Sequence, residues 1–191
     1  MISIATLWGV IWRTKLRWGA VVFLGIGLIF QLFTEKPDIL FADSGNLFLA
    51  KTQDGEFKIS SFRFDRFERK RWESMYGVEK FQKIGQKTKK EEFVKCDALG
   101  CVWTQNKNLI TYSKNWMSQK EDCLRADIIL SAAPVGRNCS PSKLVIDKFD
   151  LWREGTHAIY FNAANDLKVE SVNSVRGLRP WVPKRYHKSL D

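Results

Sequence analysis

An uncharged apolar stretch near the N-terminus constrains the folding of this chain more than any other feature. The sequence WGAVVFLGIGLIFQLF, residues 18–33, contains no charged residue, and as a helix it would extend about 24 Å. That length is slightly short of a bilayer core of about 30 Å, but flanking basic side chains can reach the head groups and the helix can continue past Phe33. We therefore predict one transmembrane helix that precedes a folded domain.

The charges on either side of this stretch predict its orientation. Arg13, Lys15 and Arg17 come before it, and Pro37 follows a short segment of mixed charge. Because basic residues remain in the cytoplasm, we expect a single pass with a cytoplasmic N-terminus and an extracytoplasmic domain. The chain thus divides into residues 1–36, an amphipathic segment and anchor, and residues 37–191, the outer domain. A cleaved signal peptide is the rival interpretation.

The net charge of +10 is high for 191 residues. Such a balance favours an anionic partner, either a nucleic acid or lipid head groups. The positive charge is spread along the chain, however, and a generally basic proteome would also account for it without any partner.

Four cysteines lie in the predicted outer domain: Cys96, Cys101, Cys123 and Cys139. No pair has the spacing of a zinc site, and the chain contains only two histidines. An even number of cysteines outside the membrane favours disulfides. We favour the pairs Cys96–Cys101 and Cys123–Cys139, although sequence does not establish connectivity, and four buried thiols in a reducing compartment are the alternative.

The outer domain has the patterns of a mixed α/β fold. Three short strands are predicted before residue 62, a helix from Phe62 to Tyr76, and an exposed lysine-rich loop from Lys80 to Glu92. Three more strands and a capped helix at NWMSQKEDCLRA follow, and then four strands that begin with the apolar run DIILSAAP. We therefore expect a mixed sheet covered by helices.

The stretch LVIDKFDLWREGTHAIYF, residues 144–161, raises the question of catalysis. It contains several carboxylates and His157, but the only other histidine of the chain is His187. We interpret the stretch as a strand, a short helical turn and a strand, with Phe149 and Trp152 facing the core. His157 is then a structural histidine.

Several segments together resemble a known family. These are FVKCDALGC, EDCLRADIILSAAPVGRNCSPSKLVIDKFDLWREGTHAIYF and RGLRPW, preceded by WRTKLRW and PDILFADSGNLFLAKTQDGEFKISS. They are similar to the C-terminal portion of ComEC-family competence proteins of the alphaproteobacterial type, over nearly the whole chain. The resemblance implies an inner-membrane protein with a degenerate metallo-β-lactamase-like domain in the periplasm. This domain would be attached to a channel that imports single-stranded DNA in natural transformation.

The chain departs from this family in two respects. The polytopic channel portion is missing, so the chain would be a separately encoded tail or a split-gene fragment that serves a channel protein. The histidine-rich metal cluster of a metallo-β-lactamase nuclease is also missing, because RFDRFERKRW stands where that cluster would begin. We therefore expect no enzyme activity, no catalytic residue, and no metal or other cofactor.

The expected partners are the inner-membrane channel protein, membrane lipid and single-stranded DNA. Two basic groups are the candidates for phosphate contact: Arg66, Arg69, Lys70 and Arg71 on the predicted helix, and Arg176, Arg179 and Lys184 near the C-terminus. Trp181 is either a stacking platform for bases or a plug that docks the C-terminus. The alternative function is a membrane-anchored structural or interaction module that binds a partner protein or anionic lipid and has no role with DNA.

Overall fold

The chain forms two compact units, Met1–Lys36 and Pro37–Asp191. The structure is a computed structural model, and it describes residues 2–11, 18–32, 35–85, 94–139, 143–162 and 166–177. Its secondary-structure elements are numbered below in chain order.

The first unit contains two apolar helices, α1 (Ile2–Ile11) and α2 (Gly19–Leu32). They pack against each other, with the rings of Trp8 and Phe23 5.9 Å apart. A Cβ built on Gly9 would lie 3.6 Å from the Cβ of Ala20, which is an ordinary van der Waals distance. Neither helix contains a charged residue. The prediction of one spanning helix is not supported, since α2 has only 14 residues and no helix in the described ranges has the length and apolarity to cross a bilayer.

The second unit contains two mixed sheets, where the sequence patterns had indicated one. The first sheet has the order β11-β10-β1-β2-β3-β4. Its strands are β1 (Ile39–Phe41), β2 (Phe48–Lys51), β3 (Phe57–Ile59), β4 (Gln82–Lys83), β10 (His157–Phe161) and β11 (Leu167–Ser171). All neighbouring strands are antiparallel except β3 and β4. The beginning and the end of the domain sequence meet in this sheet, because β1 pairs with β10.

The second sheet has the order β5-β6-β7-β8-β9. Its strands are β5 (Lys95–Cys96), β6 (Gly100–Gln105), β7 (Asn108–Ser113), β8 (Ile128–Ser131) and β9 (Leu144–Ile146). The pairs β7–β8 and β8–β9 are parallel. Every residue of β8 is buried, as expected for a central strand covered on both faces.

The two sheets share one core. Apolar side chains from both sheets form a single buried cluster, which includes Phe41, Phe48, Trp103, Tyr112 and Leu130. The rings of Phe48 and Trp103 are stacked with centroids 5.2 Å apart, and these two residues belong to different sheets. Alternation along each strand places the other set of side chains on the outer faces of the sheets.

Two of the four helices in the described part of this unit cover those outer faces. The helices are α3 (Arg66–Tyr76), α4 (Trp116–Arg125), α5 (Lys148–Glu154) and α6 (Val172–Arg176). Trp72 of α3 packs in a second buried cluster on the outer side of β1–β3. On the other side, Asp122 of α4 accepts a hydrogen bond from Ser113 of β7. The second unit therefore has four layers, in the order helix, sheet, sheet, helix.

Three local predictions are wrong. Helix α3 begins at Arg66 and not at Phe62, because Asp65 occupies the left-handed region with a φ of 49° and interrupts the backbone there. The segment from Lys80 to Glu92, predicted as an exposed loop, contains two buried residues, Phe81 and Ile84, which flank β4, while its residues 86–92 lie outside the described ranges. Finally, Phe149 and Trp152 of α5 are 53% and 56% exposed, since Leu151 is the residue of this short helix that enters the core.

Candidate nucleic-acid interface

The chemically mixed stretch, residues 144–161, folds as the predicted strand, helix and strand. Its carboxylates are engaged in building that helix. Asp147 caps α5 by accepting hydrogen bonds from the backbone N–H groups of Phe149 at 2.8 Å and Asp150 at 3.1 Å. Its second oxygen accepts a bond from the N–H of Val135. These bonds satisfy the first turn of the helix.

The other two carboxylates of the stretch also have structural partners. Asp150 accepts a hydrogen bond from the backbone of Asp147 and forms an ion pair with Arg153 at 2.6 Å. Glu154 accepts a hydrogen bond from the hydroxyl of Ser171 at 2.9 Å. The three carboxylates thus stabilise α5 and the start of α6.

His157 lies at the start of β10 and is 6% exposed. Its Nδ1 is 2.8 Å from the carbonyl oxygen of Gly155, an arrangement that orients the ring through a local backbone contact. Burial lowers the pKa of His157, so the neutral imidazole is favoured. In the described ranges, no group of three or more His, Cys, Asp or Glu residues is arranged to hold a metal ion.

Helix α3 carries the first of the two predicted basic groups, and hydrogen bonds define both of its ends. The carboxylate of Asp65, just before the helix, accepts a hydrogen bond from the hydroxyl of Ser44 in the turn between β1 and β2. At the other end, Gly77 has a φ of 67° and its N–H reaches back to the carbonyl of Ser74. Glycine adopts this left-handed conformation without steric cost, so the helix ends there.

One side of α3 is fixed to the first sheet. Trp72 is 4% exposed in the cluster over β1–β3. Tyr76 packs its ring 4.5 Å from that of Phe57 and 5.8 Å from that of Phe81. These contacts determine which residues of the helix face outward.

Arg69 belongs to this inner side, unlike the other basic residues of its group. Its guanidinium donates a hydrogen bond to the carbonyl of Phe62 at 2.6 Å and lies over the Phe62 ring at 5.3 Å. It is also 3.6 Å from the carboxylate of Glu73, and its side chain is only 14% exposed. Arg69 therefore serves the packing of the helix, and we leave it out of the candidate interface.

The outer side of α3 combines positive charge with an exposed aromatic ring. Arg66, Lys70 and Arg71 are exposed there. Phe67 is 78% exposed and, by the 100° rotation of each helical residue, points between Lys70 and Arg71. Arg71 forms an ion pair with Glu68 at the long distance of 4.0 Å. We call Arg66, Phe67, Lys70 and Arg71 the α3 face.

Of the second predicted basic group, the structure describes only Arg176, and this residue does not lie on the α3 face. Arg176 is exposed on α6, which follows the edge strand β11, whereas α3 packs over β1–β3 on the far side of β10. Arg179, Lys184 and Trp181 lie outside the described residues. The α3 face is accordingly the candidate interface, and its exposed Phe67 is the member that periodicity alone did not identify as outward-facing.

A groove of about 470 Å³ lies on the outer face of the second sheet, between α4 and the strands β5 and β6. Thr111 and Met117 contribute to its lining. Glu121 and Arg125, also at its wall, form an ion pair at 2.8 Å. The groove therefore lacks the concentration of exposed cations that the α3 face offers to an anionic ligand.

No protein family, no curated protein and no solved structure matches this chain. The fold establishes a mixed α/β protein with two mixed sheets.

Proposed function

We propose that this chain is a non-catalytic, extracytoplasmic domain attached to a membrane, and that it serves a ComEC-type channel in the uptake of single-stranded DNA. Its α3 face contacts the DNA, and the channel protein is its partner in the inner membrane. The proposal rests on the sequence resemblance described above together with four features of the structure.

The α3 face is the observation that carries the proposal. Proteins that bind single-stranded nucleic acid without sequence preference combine basic side chains along the backbone with aromatic rings on which bases stack. Arg66, Lys70 and Arg71 supply the positive charge, and the exposed Phe67 supplies the ring.

Two features support the proposed location. The structure joins Cys96 to Cys101 and Cys123 to Cys139, the two pairs that the sequence analysis favours. Such bonds persist in oxidising compartments outside the cytoplasm. The helices α1 and α2 contain no charged residue and expose most of their large apolar side chains, a pattern typical of helices that lie in lipid or are buried in a protein core.

The non-catalytic part of the proposal rests on the stretch that looks most like an active site. Asp147, Asp150 and Glu154 hold α5 and its neighbours, and His157 is buried against a backbone carbonyl. A two-metal nuclease needs such groups to converge on its ions.

Fluorescence anisotropy with labelled oligonucleotides tests the proposal. The fragment 37–191 is suitable because this unit contains both buried clusters and both disulfides. We expect it to bind a single-stranded oligonucleotide, with an affinity that falls steeply as salt rises. Three phosphate contacts correspond to a slope of about −2 for the logarithm of the affinity against the logarithm of salt concentration.

Two triple variants with the same change of net charge distinguish binding at the α3 face from binding through the overall charge. Arg66→Ala/Lys70→Ala/Arg71→Ala removes the charges of the α3 face, and we expect it to abolish most of the binding. Lys107→Ala/Arg137→Ala/Lys148→Ala removes the same net charge at exposed positions elsewhere. If both variants lose affinity equally, binding reflects the overall charge and not the α3 face. Binding that does not depend on salt would also contradict the proposal, and chelator-sensitive cleavage of DNA would contradict its non-catalytic part.

A further inference from the structure

Helix α4 is held rigidly by its inner side. Asn115 caps its first turn by accepting a hydrogen bond from the N–H of Met117 at 3.2 Å. Gln119 donates to the hydroxyl of Ser131, and Asp122 accepts from Ser113 at 2.5 Å. In addition, Cys123 is joined to Cys139. The orientation of the helix is therefore fixed, and so is the set of residues on its outer side.

That outer side exposes three large apolar residues around one lysine. Trp116 is 71% exposed, Met117 61% and Leu124 88%. Lys120 is also exposed and lies between Trp116 and Leu124, since residues four apart follow one another along a helix face. We call Trp116, Met117, Lys120 and Leu124 the α4 face. The α3 face has three cations around one aromatic ring, whereas the α4 face has three apolar side chains around one cation.

We propose that the α4 face docks on an anionic lipid surface. Trp116 would lie at the level of the head groups, with Met117 and Leu124 entering the boundary with the acyl chains. Lys120 would reach a lipid phosphate by extending its stem along the apolar side chains. The inference depends on the membrane attachment in the proposed function, because that attachment supplies the lipid surface.

Lipid is favoured over a second copy of the chain or another protein for two reasons. Three side chains on one ten-residue helix form a small patch, while a stable protein interface buries roughly 800 Å² on each partner. A two-fold contact through this face would also bring two Lys120 ammonium groups together in a poorly hydrated centre. The acidic neighbours of Lys120 are already engaged, Glu121 with Arg125 and Asp122 with Ser113. The charge of Lys120 is thus available to a phosphate.

The chain contains a convenient pair of probes for a test. It has three methionines in all. Met117 belongs to the α4 face, and Met75, which is 59% exposed, lies on α3. Oxidation of a methionine by hydrogen peroxide is rapid only where the sulfur is accessible to water, and peptide mass spectrometry reads each site separately.

The experiment uses the full chain in nanodiscs with one copy per disc, prepared from anionic or neutral lipid. Oxidation of Met117 is expected to be several-fold slower in anionic discs than in detergent solution, whereas Met75 reacts at the same rate in both. Leu124→Gln, a change at an exposed position, should restore rapid oxidation of Met117. Phe67→Gln on α3 is the matched control and should leave the protection of Met117 unchanged.

The remaining outcomes separate this inference from the proposed function. If the chain fails to incorporate into discs, membrane attachment and this inference are both wrong. If it incorporates but Met117 oxidises as fast as in solution, only this inference is wrong. Protection that requires two copies in a disc would assign the α4 face to self-association, and protection of Met117 by single-stranded DNA in solution would assign it to nucleic acid. Equal protection in neutral discs would remove the role given to Lys120.

Discussion

The phenol hydroxyl of Tyr112 donates a hydrogen bond to the carbonyl oxygen of Gly45 at 3.0 Å. Tyr112 belongs to β7 of the second sheet, and Gly45 to the turn between β1 and β2 of the first. Gly45 has a φ of 73°, and a side chain there would lie 3.0 Å from the Cα of Ala132, so only glycine fits this position without strain. The bond therefore ties a tightly packed turn of one sheet to a central strand of the other.

Replacing Tyr112 with phenylalanine tests the contribution of this bond. Tyr112→Phe keeps the ring in the core but leaves the Gly45 carbonyl without its donor, so we expect the free energy of unfolding to fall by about 1 kcal/mol. Urea denaturation of residues 37–191 measures it. The matched control is Thr111→Val on the same strand, because the buried hydroxyl of Thr111 has no hydrogen-bond partner in the described part of the chain. A larger loss from the control would contradict the prediction.

The same tyrosine predicts a loss of stability at alkaline pH. Burial raises the pKa of Tyr112 from its ordinary value of 10.0 to about 12. Between these values the unfolded chain releases the phenol proton while the folded chain retains it. The raised pKa of Tyr112 therefore lowers the free energy of unfolding only at alkaline pH: stability is unaffected below pH 10 and falls as the pH approaches 12. The loss amounts to roughly 2 kcal/mol.

Denaturation at several pH values between 8 and 12 checks this dependence. Tyr112→Phe should lose less stability than the parent protein over this range, although Tyr76 keeps part of the dependence because burial raises its pKa as well. Identical slopes for the two proteins would show that Tyr112 does not titrate as described.

The two disulfides should differ in their contribution to stability. Cys123–Cys139 spans 16 residues and Cys96–Cys101 spans 5. Because closing the longer loop removes more entropy from the unfolded chain, we expect Cys123→Ser/Cys139→Ser to cost about 3 kcal/mol and Cys96→Ser/Cys101→Ser about 2 kcal/mol. Urea denaturation of each double variant gives the values. Peptide mapping without reductant checks the pairing first, and any other connectivity would contradict the prediction.

Two aromatic residues on opposite sides of α3 should respond in opposite ways to truncation. Trp72→Ala empties a buried site and is expected to cost about 3–5 kcal/mol of stability. Phe67→Ala should change stability by less than about 0.5 kcal/mol, since the ring is exposed. The same change should weaken binding of single-stranded DNA by about 1–3 kcal/mol, because a stacking platform is lost. Unchanged DNA affinity in a folded Phe67→Ala variant would exclude a role for this ring.

Local sequence signals predicted the elements of the domain well, and the stretch around α5 shows why. The apolar run Leu144–Ile146, the cap Asp147 and the terminal Gly155 determine a strand, a helix start and a helix end through contacts of only a few residues. It was harder to predict which side of each helix faces the core. Phe149 and Trp152 were expected in the core, yet Leu151 is there, because a seven-residue helix shows too few turns for its apolar period to identify one side.

The candidate site shows the same division. The sequence indicated a basic helix and named Arg66, Lys70 and Arg71, but it grouped Arg69 with them. The tertiary position of Phe62 explains the difference. Its carbonyl oxygen accepts a hydrogen bond from the Arg69 guanidinium, which also lies over the Phe62 ring, so Arg69 is held against the domain. The exposed Trp116 and Leu124 of α4 were not identified at all, since an apolar residue on a helix is ordinarily expected to face the core.

By itself, the sequence determined most of the order of strands and helices, the apolar N-terminal segment and the excess of positive charge, because these depend on residues that are close along the chain. It did not indicate the two-residue strand β4 or the short helix α6. Only the tertiary structure decided that the strands form two sheets, that β1 pairs with β10, and that Tyr112 reaches Gly45 across the core. Those contacts join residues far apart in sequence, and the packing that selects them also determines which side of each helix meets the solvent.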